Sequence, residues 1–191
     1  MRKRGLAPLG FFYHDHNEDE KRGLRGLLSS VLVQLCHQSD SYCDILSKFF
    51  SDHSSGSRHP SDDELVDCLK EILELAGQAP VFLIVDALDE CPDTSALPSR
   101  REEVLTLMEE LIELRLPNLR LCVTSRPEAD IKSVFDALAS YVVSLHGEKG
   151  QMQDINNYIK SVVSTNRQMR KWKPEHKQLV IDALTKGADG M

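Results

Sequence analysis

Three carboxylates behind a short apolar run are the residues whose types and spacing best suit a reaction. Val81-Phe-Leu-Ile-Val85 is continuously apolar, Asp86 ends it, and Asp89 and Glu90 follow one short turn later. Open α/β sheets bind ligands at the carboxyl ends of their strands, so acids at a strand tip are well placed for chemistry. Magnesium favours a rigid carboxylate or a water held by one, and hydrolysis of a nucleoside triphosphate needs a second acid to orient the attacking water. Asp86 suits the metal role, and Asp89 or Glu90 the catalytic one. On this segment alone a plainer reading stays open, in which Asp86 merely ends a strand and Asp89-Glu90-Cys91-Pro92-Asp93 is a polar turn.

A second strand tip points the same way. Leu119-Arg-Leu-Cys-Val123 leads into Thr124, Ser125 and Arg126, two hydroxyls and a permanent cation able to sense a terminal phosphate. Ser125-Arg-Pro-Glu128 is also a capping-box pattern with proline early in the helix, so Ser125 has a purely structural alternative. That alternative leaves Arg126 unexplained. His14 and His16 flank Asp15, but two alternating histidines without a third ligand at a suitable spacing read as structural. The lone Trp172, beside an amphipathic segment, reads as a packing residue rather than a stacking platform. Helicases also end a strand in Asp-Glu, but their acids are adjacent at the tip, whereas here Asp86 leads and Asp89-Glu90 follow.

These residues need strands and helices to hold them. Leu9–Tyr13 reads as a strand. From Lys21 onward Leu24, Leu27, Leu28, Val31, Leu32 and Leu35 recur at helical steps. A weaker helix covers Tyr42–Phe50, and 51–60 reads as a surface loop. Ser61-Asp-Asp-Glu64 is a capping box for a helix carrying Leu65, Leu69, Ile72 and Leu73. Val81–Val85 looks like a parallel strand covered on both faces. A helix with Val104, Leu107, Met108 and Leu111 follows, then the strand Leu119–Thr124, a helix from about Arg126 to Leu138 and a strand Tyr141–Leu145. Helices over Asp154–Val163 and Glu175–Leu184 complete the chain. Alternating strands and helices predict βαβ crossovers and a three-layer parallel α/β sheet.

Composition narrows the classes further. A length of 191 residues suits one domain that buries about two-thirds of its unfolded surface. The chain is 41% hydrophobic and 28% charged, as in ordinary globular proteins. With 23 basic against 30 acidic residues the net charge is −7, which gives no broad positive field for a nucleic-acid backbone. The clusters at Arg2-Lys3-Arg4 and 167–177 read as solvated surface. Five cysteines, none as C-x-x-C, suggest a reducing compartment. The longest apolar run falls far short of the ~20 residues of a membrane span, and no signal peptide is evident, so a cytoplasmic location is expected.

Ile84-Val-Asp-Ala-Leu-Asp-Glu-Cys91 resembles the Walker B segment of NACHT-family STAND nucleotide triphosphatases, and Cys122-Val-Thr-Ser-Arg-Pro127 resembles their sensor strand. Phe11-Phe-Tyr-His-Asp-His16, the helix Leu24–Leu35, Asp154-Ile-Asn-Asn-Tyr158, Trp172 and Lys186-Gly-Ala-Asp-Gly-Met191 resemble the fungal, nephrocystin-like branch. The resemblance implies a P-loop NTPase fold, Mg²⁺ with ATP or GTP as ligands, and a nucleotide-driven oligomerisation switch that self-associates through this domain. It also implies an effector domain and ankyrin, WD or TPR repeats as neighbours, in signalling tied to non-self recognition and cell death.

One part of that family's machinery has no counterpart. A P-loop requires G-x-x-x-x-G-K-[ST] between a strand and a helix, with backbone N–H groups and the lysine around the phosphates. Gly5 and Gly10 have the glycine spacing, but Phe11 and Phe12 stand where Lys and Ser/Thr belong. In the family's strand order, 5-1-4-3-2, the P-loop strand lies between the strands at Tyr141 and Leu119. The expectation is therefore an incomplete sheet, with residues 1–8 outside the fold, 9–147 a partial nucleotide-binding domain and 148–191 its truncated helical part. Two functions follow: a piece of an NTPase switch, inactive alone, or a catalytically inactive interaction or decoy module.

Overall fold

The computed structural model describes residues 7–15, 23–53, 58–75, 80–93, 97–144 and 149–188, with side chains from residue 153 onward in the last stretch. The chain divides into two compact units, Met1–Leu138 and Ala139–Met191. In the first, the strands β1 (Leu9–Tyr13), β2 (Val81–Asp86) and β3 (Leu119–Val123) form a parallel sheet in the order β1-β2-β3. The helices are α1 (Leu24–Cys36), α2 (Asp40–Asp52), α3 (Asp62–Leu75), α4 (Arg100–Glu113) and α5 (Ala129–Leu138). Register runs Tyr13 opposite Asp86 and Val85 opposite Val123, so the three carboxyl ends lie at one edge. Pro8 joins the sheet, its carbonyl accepting from the Phe82 N–H at 2.9 Å.

The core lies on one face of this sheet. Gly10, Phe12, Val81, Leu83 and Val85 point into it and meet Leu28, Leu35, Leu69, Ile72 and Val104, all of them buried. Gly10 is needed for this contact: a Cβ there would come within 3.0 Å of Val31 Cγ1 and Leu83 Cδ2. The other face carries Phe11, Tyr13 and Phe82, which are about half exposed. The expected third layer is thus not found among the described residues of this unit. The run Val81–Val85 is apolar throughout but alternates between buried and accessible positions. Apolar content alone does not say how many faces are covered; the helices that arrive decide it.

The edge of β1 is closed by side chains. Gln38, in the turn that follows α1, accepts from the Leu9 N–H at 3.0 Å and donates to its carbonyl at 2.6 Å, and Gln34 on α1 does the same for Phe11 at 3.0 and 2.8 Å. Two glutamines four residues apart, one in the last turns of α1 and one just beyond it, thereby satisfy alternate residues of the strand, whose edge groups face outward together because the ladder repeats every two. An edge otherwise open to another strand is masked.

Two further expectations are corrected. Residues 141–144 are irregular and exposed, Tyr141 at 85%, instead of forming a strand; Leu145 lies outside the described residues. A strand needs a neighbour for its backbone groups, and none of the described residues supplies one. Helix α5 begins at Ala129, not near Arg126, because Pro127 disfavours helical geometry at residue 126 and the Arg126 N–H is engaged elsewhere. Ser125 lies too far ahead of the helix to cap it. In the second unit, α6 (Lys149–Thr165) and α7 (Pro174–Gly187) pack together around Ile159 and Val163, and Trp172 stays 41% exposed.

Replacing both Gln34 and Gln38 by alanine is expected to leave helix content unchanged but to promote self-association. Circular dichroism and light scattering over a concentration series check this, and an unchanged scattering profile would show that the glutamine pair does not guard the edge.

Candidate functional site at the strand tips

The carboxyl ends of β2 and β3 are joined by Thr124. Its N–H donates to the Val85 carbonyl at 2.9 Å as the last rung of the ladder. Its hydroxyl donates to Asp86 Oδ1 and accepts from the Ala87 N–H at 3.1 Å, while its carbonyl accepts from the Leu88 N–H at 3.0 Å. One threonine thus orients the exposed Asp86 carboxylate and holds the start of the next turn. That turn begins with Ala87 in the left-handed region, at φ 55° and ψ 46°. Such geometry costs a non-glycine residue on the order of 1 kcal/mol and persists where surrounding bonds enforce it. It folds the chain back from the strand into a single 3₁₀ turn, Leu88–Glu90, anchored by the fully buried Leu88 and by Cys91.

Asp89 turns away from Asp86 toward the β3 segment. Its Oδ1 accepts from the Arg126 N–H at 3.0 Å, and Oδ2 lies 3.5 Å from Arg126 Nε. The Asp89 side chain is 12% exposed, whereas that of Arg126 is 77% exposed. A cation so exposed gains little from pairing, and the backbone bond is the firmer of the two contacts. Glu90 and Ser125 are exposed at the same edge. The six residues singled out in the sequence therefore share one edge, but the acids do not act on a common point: Asp86 is held by Thr124 and Asp89 by Arg126.

Arg101 and Asp130 belong to this site and escaped the sequence reading. Arg101 donates from Nε to the Cys91 carbonyl at 2.9 Å, from one terminal nitrogen to the Asp89 carbonyl at 2.8 Å, and from the other to Asp130 at 3.1 and 3.4 Å. Burial pushes the Asp130 carboxyl up, but bonds from the Ile131 N–H and Arg101 outweigh it and hold the group below its ordinary value. The available signal was the arginine itself. It occupies the first turn of α4, where the helix dipole disfavours a cation, so specific partners were called for.

No group of three or more His, Cys, Asp or Glu residues able to hold a metal occurs among the described residues. Asp86 as a single oriented carboxylate is nonetheless the donor type that magnesium takes when phosphate oxygens complete its shell. His14 is buried edge-to-face with Phe12, their ring centroids 5.0 Å apart, and His16 lies outside the described residues. A separate cavity of about 590 Å³, lined in part by Phe12, Arg25, Asp62 and Arg100, contains none of the six site residues. Its Arg25 is committed to Asp62 at 2.7 Å and to the Pro60 carbonyl at 2.8 Å. None of the five cysteines is in a disulfide, and no described helix is long and apolar enough to cross a membrane.

Thr124→Val is expected to lower stability by about 0.5–1.5 kcal/mol through loss of two hydrogen bonds. It should also speed exchange of the Ala87 amide. Urea unfolding and amide exchange by NMR check this, and an Ala87 amide as protected as before would remove Thr124 as the residue that holds the turn.

No curated protein and no solved structure matches the chain. The family described as Nephrocystin 3, N-terminal matches residues 1–126, which span all three strands and every site residue except Asp130. The chain therefore belongs to the nephrocystin 3 N-terminal family.

Proposed function

We propose that the first unit is the magnesium- and phosphate-sensing part of a NACHT-type STAND NTPase, a switch whose assembly state depends on bound ATP or GTP. The observation that carries this reading is the presence, at the tips of adjacent parallel strands, of an oriented carboxylate and a solvent-exposed cation: Asp86 with Thr124, and Arg126 against Asp89. Asp86 would hold Mg²⁺, directly or through water, and the metal would neutralise phosphate charge. Thr124 keeps that carboxylate in place. Arg126, exposed at its end, would take a terminal phosphate, for which a guanidinium fork is well shaped. Once Arg126 leaves, Asp89 has a carboxylate available to orient water, with Glu90 one residue further on.

The observed strand order supports the same reading. β1-β2-β3 corresponds to three consecutive strands of the order 5-1-4-3-2, with the outer edge of β3 turned toward the position a P-loop strand would take. In this proposal the chain is part of a signalling protein with effector and repeat domains, self-associating through the nucleotide-binding domain. A second reading, an inactive interaction or decoy module, is favoured by one observation: Asp86 and Asp89 are held by different partners and not aimed at a common point.

Magnesium-dependent binding of fluorescent ATP and GTP separates the two, measured on the 191-residue chain and on a version preceded by a P-loop strand and helix. The switch reading expects binding by the longer protein alone. There, Asp86→Ala should weaken Mg²⁺-nucleotide affinity about tenfold or more, the loss of a charged contact. Arg126→Ala should weaken triphosphate binding while sparing diphosphate. No binding by the longer protein would favour the decoy reading, and binding unchanged by Asp86→Ala would overturn the metal assignment.

A further inference from the structure

Arg101 is placed where the proposed site needs a mechanical link. It touches neither Asp86 nor Arg126, yet each arm of its guanidinium ends on a different part of their surroundings. Two arms hold the backbone of the acidic turn at Asp89 and Cys91; the third holds Asp130, in the first turn of α5, four residues after Arg126. Its side chain is 12% exposed, so these bonds form largely out of water, where each is stronger and harder to replace. A guanidinium at a helix N-terminus opposes the dipole, and only the fork geometry, reaching three acceptors at once, makes it the suitable residue.

We infer that Arg101 is a positioning residue that holds the Asp89 turn and the Arg126 segment as one body, so that the Asp89 carboxylate stays bonded to the Arg126 N–H and a change at either strand tip is transmitted to the other. A phosphate drawing Arg126 away would then also shift the turn that carries Asp89 and Glu90. This regulatory meaning rests on the phosphate-sensing reading above, but the link itself does not require nucleotide. Its test is run without any, so that failure of nucleotide binding and failure of the link are separate results.

The test is amide exchange at Arg126 together with maleimide labelling of two buried thiols in Arg101→Met. Cys91 sits in the held turn and Cys68 in α3, both fully or nearly buried, and burial pushes each thiol up to about 11. Loss of the link should speed Arg126 amide exchange and Cys91 labelling about tenfold or more, the size expected for losing hydrogen bonds to a charged group, with Cys68 unchanged. Arg126 is not a contact of Arg101, so a purely local role would leave its amide protected. An unchanged Arg126 amide overturns the inference, as does labelling of Cys91 and Cys68 that rises in parallel, the mark of general unfolding. If Arg101→Met does not fold, Arg101→Lys is judged by the same criteria, because an ammonium keeps the charge but cannot span the three acceptors.

Discussion

Everything at the candidate site depends on β2 being hydrogen-bonded along both edges. It is the central strand of three, in register with β1 on one side and β3 on the other, and this double ladder fixes where Asp86 emerges. A strand held on one side can slip or fray; one held on both must carry two neighbours with it to move. The two outer strands are stabilised differently. β1 is finished by the amides of Gln34 and Gln38, which stand in for a fourth strand, whereas β3 is tied to β2 beyond its last residue by the backbone and hydroxyl of Thr124.

That asymmetry assigns different work to the two ends of the sheet. The helix-covered β1 side supplies packing, close enough that a side chain at Gly10 would press on Val31 of α1 and Leu83 of β2. The β3 side supplies polar chemistry: a threonine that spends its donor on one acid, and an arginine whose backbone is held by another while its side chain reaches solvent. The exposed Arg126–Asp89 ion pair itself contributes little to stability; the backbone bond to Asp89 is the firmer contact.

The left-handed Ala87 and the buried Leu88 belong to the same arrangement. Without the reversal at Ala87 the acids after β2 would continue along the strand direction, away from β3. With it, Asp89 comes back over the neighbouring strand tip, and Arg101 can reach the carbonyls of the turn. The modest strain at Ala87 is held by Thr124 from one side and Arg101 from the other, so the turn's shape is the property of three elements and not of its own residues.

The sequence by itself determined the element types and most of their limits. β1, β2, β3, the helix after Ser61 and the helix carrying Val104, Leu107, Met108 and Leu111 follow from apolar period and, at Ser61, capping chemistry, which are local. It also determined that Asp86, Asp89, Glu90, Thr124, Ser125 and Arg126 would share a sheet edge, because parallel crossovers bring every strand out at the same end. What only the tertiary structure decided is who pairs with whom. Residues 141–144 have a strand's composition, but none of the described residues pairs with them to make them one. Ser125 has a capping pattern that Pro127 and the Asp89 bond override. The two acids serve different partners, and Arg101 reaches from α4 to both the Asp89 turn and Asp130. Local patterns encode backbone preference, which a few neighbours can express; hydrogen-bond partners across strands and helices exist only once the chain has brought distant residues within about 3 Å.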